Sequence, residues 1–275
     1  MVAAGSNRRR RTSLWALAAL VALVAAIAGG ALLYLHRDDN PGCASGAPCT
    51  RVLFLGNSYT SVNDLPTMFG DLAWSGGHRV ETGVQAPGAW TFADHAGSPD
   101  TRTILNSKAW DVVVLQEQSQ IPSVASARQA EMYPAARKLV SLVREVGAEP
   151  LFYLTWAHRD GWPVNGMPDY ASMQKAIDDG YLGIAAEQHV AVAPVGVAWM
   201  SLVGQLPDSS LWQDDGSHPT TMGTYLAACV FYATVFSKSP VGLSYHAGLS
   251  DTDAAVVQAA AARTVLQNAS RWGLL

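Results

Sequence analysis

Three polar clusters stand where apolar runs end, and their residue types could do chemistry. Gly56-Asn57-Ser58-Tyr59-Thr60 follows Val52 to Leu55, and Gln116-Glu117-Gln118-Ser119 follows Val112-Val113-Val114-Leu115. Asp214-Asp215-Gly216-Ser217-His218-Pro219 precedes a long apolar helical pattern. A Ser, a His and an Asp point to nucleophilic acyl transfer. The hydroxyl is a weak nucleophile that needs a base, and the imidazole needs a carboxylate to fix its tautomer and stabilise its charged form. Asp215 and His218, three apart on a turn, can join carboxylate to one ring nitrogen while the other faces Ser58. Pro219 suits the first turn of the following helix. Asp-Gly-Ser and Gly-Asn-Ser are also ordinary turn and N-cap chemistry, so neither motif decides alone.

The elements that would position these clusters alternate between short β-branched runs and helical patterns. Strands are expected over 51–55, 78–84, 111–116, 149–155 and 190–195. Helices are expected over 63–74, 126–147, 169–189, 220–236 and 251–272, the second closed by Gly147. Such alternation implies an α/β domain with parallel strands joined by right-handed crossovers. Ligands in such sheets bind beyond the carboxyl ends of the strands, where all three clusters would fall.

Val52-Leu53-Phe54-Leu55-Gly56-Asn57-Ser58-Tyr59-Thr60 resembles the first block of the SGNH (GDSL-like) hydrolase superfamily, with Asn in place of the usual Asp before the nucleophile. Asp215-Gly216-Ser217-His218-Pro219 resembles its last block, Asp-x-x-His. Similarity extends to Trp156, to Pro194-Val195-Gly196-Val197-Ala198-Trp199 and to Gly223-Thr224-Tyr225-Leu226-Ala227-Ala228, and together these resemble a bacterial subgroup that begins Gly-Asn-Ser. The resemblance implies a three-layer α/β/α sandwich with a central five-stranded parallel sheet, flavodoxin-like in order. It implies Ser58 as nucleophile, His218 as general base and Asp215 as its orienter. The oxyanion donors would be the backbone N–H of Ser58, the N–H of Gly88 and a side-chain amide. The third block normally reads Gly-x-Asn-Asp, and here Gln118, or Gln116 as second choice, would supply that amide. The α/β-hydrolase elbow Gly-x-Ser-x-Gly fits less well, since Thr60 stands at its second Gly. Trp156 and Trp199 follow strands four and five and could line an acyl or sugar pocket or belong to the core.

The chain has 275 residues, 49% hydrophobic and 15% charged, with a net charge of −4. That composition excludes a disordered chain, and a pI near 5.9 argues against a nucleic-acid partner. The charge is unevenly divided: residues 1–40 hold five Arg and two Asp, or +3, leaving 13 basic and 20 acidic residues, or −7. Arg8, Arg9, Arg10 and Arg11 precede an uncharged run from Leu14 to Leu35, enough to cross a bilayer with the basic cluster inside. The expected organisation is a basic segment over 1–13, a signal anchor over 14–36, a linker over 37–50 and the hydrolase-like domain over 51–275, outside the cytoplasm. A cleaved signal peptide is the alternative, with a site near Ala26-Ile27-Ala28. Cys43 and Cys49 could close a small disulfide loop in an exported protein, while Cys229 reads as a buried hydrophobe.

No glycine-rich phosphate motif follows a strand, and His95, His158 and His246 lack ligand-like spacing, so neither cofactor nor metal is expected. The SGNH resemblance, with the exported location, implies hydrolysis of O-acyl, acetyl-type esters of carbohydrate or cell-envelope substrates. The partners would be a small-molecule or glycan ester and a membrane. A non-catalytic binding domain and an acyltransferase with the same triad are the competing readings.

Overall fold

The computed structural model describes residues 40–43, 47–207 and 210–274. The apolar run 52–55 is buried on both sides, as an interior strand of a parallel sheet must be. It forms β1 (Thr50–Leu55), followed by α1 (Ser58–Ser61), α2 (Leu65–Ser75), β2 (Val80–Gln85), α3 (Phe92–Gly97), α4 (Pro99–Leu105) and β3 (Val112–Leu115). Next come α5 (Tyr133–Glu145), β4 (Glu149–Tyr153), α6 (Tyr170–Gln188), β5 (Ala191–Ala193), α7 (Val195–Met200), α8 (Thr221–Phe236) and α9 (Asp251–Leu266). The five strands are parallel in the order β2-β1-β3-β4-β5. This is the flavodoxin-like order, whose switch point lies between β1 and β3.

Two helical layers cover the sheet. Phe54 packs edge-on against Phe69 of α2 and Phe231 of α8, which sit on one face with α9. On the other face Phe92 of α3 meets Phe152 of β4, and Phe152 meets Tyr181 of α6. The expected strands and long helices are all present. The register pairs Leu55 with Leu115, so β1 and β3 end side by side and the N–H of Gln116 donates to Leu55 O at 2.9 Å. Two of the polar clusters are thereby brought together at the switch point.

Several boundaries differ for local reasons. Thr220 is the N-cap of α8, its hydroxyl accepting from Gly223 N–H, so Pro219 stands before the helix and not in its first turn. The helix expected over 251–272 ends at Leu266 and resumes as a 3-10 turn, Ala269–Trp272. Helices α3, α4 and α7 were not foreseen. Within the linker expected over 37–50, the Asn40 amide donates to Val80 O, and Cys43 is bonded to Cys49. The anchor expected over 14–36 lies outside the described residues. Among those described, no helix is long and apolar enough to cross a membrane.

Candidate active site

Ser58 opens the four-residue helix α1, directly beyond β1. Gly56 must be glycine: a Cβ there would lie 2.4 Å from the Thr60 hydroxyl and 2.5 Å from Gln116 Oε1. Asn57 caps the turn, its Oδ1 accepting from Tyr59 N–H, while its backbone carbonyl accepts from Thr60 and Ser61. Its Nδ2 donates to Trp90 O at 2.8 Å, tying the nucleophile turn to the loop after β2. An aspartate could not make that bond, which gives the Asn at this position a structural reason. The N–H of Ser58 has no acceptor among the described residues.

Asp215 holds the facing turn together. Its Oδ1 accepts the N–H groups of Ser217 and His218, both at 2.9 Å, and Gly216 adopts φ +67°, where glycine is favoured. Trp156 donates its indole N–H to Ser217 O, and Arg159 N–H donates to Gly216 O. The result is a continuous chain of contacts. His218 Nδ1 lies 2.5 Å from Asp215 Oδ2, and His218 Nε2 lies 2.9 Å from Ser58 Oγ. Burial works against the Asp215 charge, but the bonds from His218 and from the two backbone N–H groups outweigh it and hold the carboxyl at about 2. The carboxylate is therefore ionised at any working pH and fixes a proton on Nδ1, leaving Nε2 free to accept from the serine.

A cavity of about 270 Å³ opens over Ser58 and His218, lined also by Asn57, Tyr59, Ala89, Gln118, Ser119, Gln120, His158 and Ser217. Gln118 reaches it, and Gln116 does not. The Gln116 amide is buried, donating to Asn57 Oδ1 and Glu117 O while its oxygen accepts from Asn57 N–H and the Thr60 hydroxyl. Ala89, at φ +64°, lines the cavity in place of its neighbour Gly88. Trp156 and Trp199 are fully buried, which corrects the pocket-lining expectation. They stack on each other at 4.2 Å, and Trp156 stacks on Tyr59 at 4.5 Å, forming an aromatic column behind the site.

No protein-family model and no curated protein matches the chain. Among solved structures, one described as an SGNH hydrolase, from Slackia heliotrinireducens, is 29% identical with a TM-score of 0.59, covering 68% of this chain and all of that one. The chain shares the fold of the SGNH hydrolases and resembles them in sequence. A DUF4886 family protein from Bacteroides uniformis shares the fold at a TM-score of 0.69 and 19% identity, over 80% of this chain and 95% of that one. So does an acetyl-xylooligosaccharide esterase from Geobacillus, at 0.51 and 15%, over 66% and 92%.

Within this SGNH fold, residues missed by sequence reasoning complete the cavity wall. Tyr59 bonds Ser217 across 2.8 Å, and Ser119 Oγ lies 3.4 Å from His158 Nε2. Burial lowers the His158 pKa, with the neighbouring His218 adding to the effect against Asp215, so its ring is neutral near pH 7. The one available signal for His158 was its position just past β4, at the carboxyl end of the SGNH sheet. His95, by contrast, is buried and bonded to Gly56 O and Thr101, where it braces the nucleophile turn from below.

Proposed function

We propose that the protein is an extracytoplasmic serine esterase of the Gly-Asn-Ser SGNH subgroup, removing acetyl-type groups from carbohydrate or cell-envelope esters. The observation that carries the reading is the unbroken contact chain from Ser58 Oγ through His218 to Asp215. In the proposed mechanism Ser58 Oγ attacks the ester carbonyl and its proton passes to His218 Nε2. Asp215 stabilises the imidazolium so formed. The carbonyl oxygen gains negative charge and receives hydrogen bonds from the Ser58 N–H, the loop at 88–89 and the Gln118 side-chain amide. Collapse of the tetrahedral intermediate breaks the bond to the alcohol oxygen, which takes the proton from His218. Water then repeats the sequence on the acyl-serine, releasing the acid.

The cavity wall supports the substrate class. At about 270 Å³ it accommodates a short acyl group, and Tyr59, Gln118, Ser119, Gln120 and His158 bring hydrogen-bonding groups to its wall. A cavity of that volume leaves little room for a long acyl chain, and a sugar at its mouth would find hydrogen-bonding partners. The Arg8–Arg11 cluster before the apolar run 14–35, and the Cys43–Cys49 disulfide, favour a membrane-tethered domain in an oxidising compartment.

Hydrolysis of p-nitrophenyl acetate and labelling by a fluorophosphonate probe test the reading. Both are expected for the wild-type protein and lost in Ser58→Ala. Activity that survives this substitution would sink it. Added sugar or alcohol acceptors in the same assay separate hydrolysis from acyl transfer.

A further inference from the structure

The proposed chemistry leaves one group beside the site unused. Glu117 follows β3 directly and is 1% exposed, a costly place for a carboxyl group. Its Oε1 accepts two backbone N–H groups, from Gln118 at 2.7 Å and from Phe92 at 2.9 Å. The first belongs to the residue whose side-chain amide faces the cavity. The second opens α3, whose preceding loop carries Ala89 into the cavity wall and is tied through Trp90 O to Asn57. One carboxyl oxygen therefore joins the two loops that meet the nucleophile turn. The Glu117 N–H in turn donates to the Tyr181 hydroxyl, anchoring the junction to α6.

Gln118 shows why a junction is needed there. Its side chain is one methylene longer than the Asn of the usual third block and has one more torsion to fix. Its Oε1 is held by the N–H groups of Gln120 and Ile121 at 2.8 and 3.3 Å, so the tip is fixed by the turn that follows. Its root is fixed by Glu117. The Nε2 is left with a single contact, 3.3 Å to Ser119 Oγ, and retains hydrogen-bonding capacity toward the cavity.

We propose that Glu117 is a positioning residue for acyl transfer, clamping the Gln118 loop and the Ala89 loop in the geometry that receives the developing oxyanion. The inference rests on the esterase reading of the same site. The groups that face Glu117 are the Tyr181 hydroxyl from α6, Asp94 from α3 and Glu131 from the turn before α5. Burial pushes the Glu117 carboxyl up to about 7 against its two backbone bonds, and the two acidic neighbours add to the rise. The clamp is thus charged above about pH 7 and neutral below it. A charged acceptor grips an N–H more strongly than a neutral one, so turnover should fall as pH drops through this range.

Steady-state kinetics on p-nitrophenyl acetate between pH 5 and 9 test this with Glu117→Ala and Glu117→Gln. Glu117→Ala is expected to lower kcat about ten- to a hundredfold at pH 8, within the range seen for displaced oxyanion donors, with KM changed less than threefold. Glu117→Gln keeps an oxygen that can accept both N–H groups and is expected to recover most of that loss. The wild-type kcat profile should carry an ionisation near pH 7 that Glu117→Gln lacks. Wild-type kcat within twofold in Glu117→Ala, or superimposable profiles for wild type and Glu117→Gln, would overturn the inference. If Glu117→Ala does not fold, the Glu117→Gln profile decides alone. Ser58-dependent turnover that is insensitive at position 117 sinks only the clamp, whereas an inert wild type sinks the clamp and the esterase reading together.

Discussion

Asn57 and Glu117 show how single polar groups hold this site, and each makes a separate prediction. Asn57→Asp replaces the donor to Trp90 O with an acceptor, leaving two oxygens facing each other in a buried turn. The expected cost is about 1–3 kcal/mol, read as a lower melting temperature that drops further above the carboxylate titration range. For Glu117 the sign of the linkage is fixed by a carboxyl raised from 4.5 unfolded to about 7 folded. The folded state holds the proton more tightly, so this stabilisation is complete below about pH 4.5 and is lost as pH rises to about 7. Glu117→Gln does not titrate. Its stability relative to wild type should therefore rise by on the order of 3 kcal/mol between pH 4 and pH 8, measured by chemical denaturation at both. Asp215, at about 2, stays ionised throughout that window and contributes no such change. Asp215→Asn should leave the fold intact and lower kcat by roughly 10³–10⁴, through loss of the tautomer that presents Nε2 to Ser58.

At the level of elements, the chemistry sits on turns that the sheet ends and the aromatic column hold in place. Trp156→Phe keeps a ring in the stack between Tyr59 and Trp199 but removes the donor to Ser217 O, next to His218. The turn loses one tether, so kcat should fall several-fold while stability changes by only about 1–2 kcal/mol; paired kinetics and thermal unfolding check this. The same distinction explains what could be read from the amino-acid sequence. Val52 to Leu55 and Val112 to Leu115 are unbroken apolar runs, so the strands and the polar residues after them were legible. Asp215 and His218 are close in sequence, and their spacing alone suggested the contact. Helices α3 and α4 depend on short-range caps, the Thr91–Asp94 box and Ser98 before Pro99, which carry almost no apolar periodicity. Gln116 and Gln118 look alike in sequence, and only the pairing of Leu55 with Leu115 makes one a brace and the other a wall. Trp156 and Trp199 follow strand ends, a position that does not distinguish a pocket from a column packed behind it.

For the whole molecule, the sheet has a working end and an entry end. The Cys43–Cys49 loop and the Asn40 bond to Val80 O lie at the amino ends of β1 and β2, whereas Ser58 and the cavity lie beyond their carboxyl ends. Replacing both cysteines by serine should therefore lower stability by about 2 kcal/mol, given the short loop, with kcat/KM unchanged. The six residues of β1 separate the two ends by roughly 17 Å. A molecule held at Asn40 is held by its back. Beads coupled to residues 40–275 through the amino terminus should retain kcat/KM on soluble esters within about twofold, and coupling through a cysteine at Gln120 should abolish it. The residue-40 end and the cavity mouth thus lie at opposite ends of the sheet, so a support joined at the first leaves the second clear.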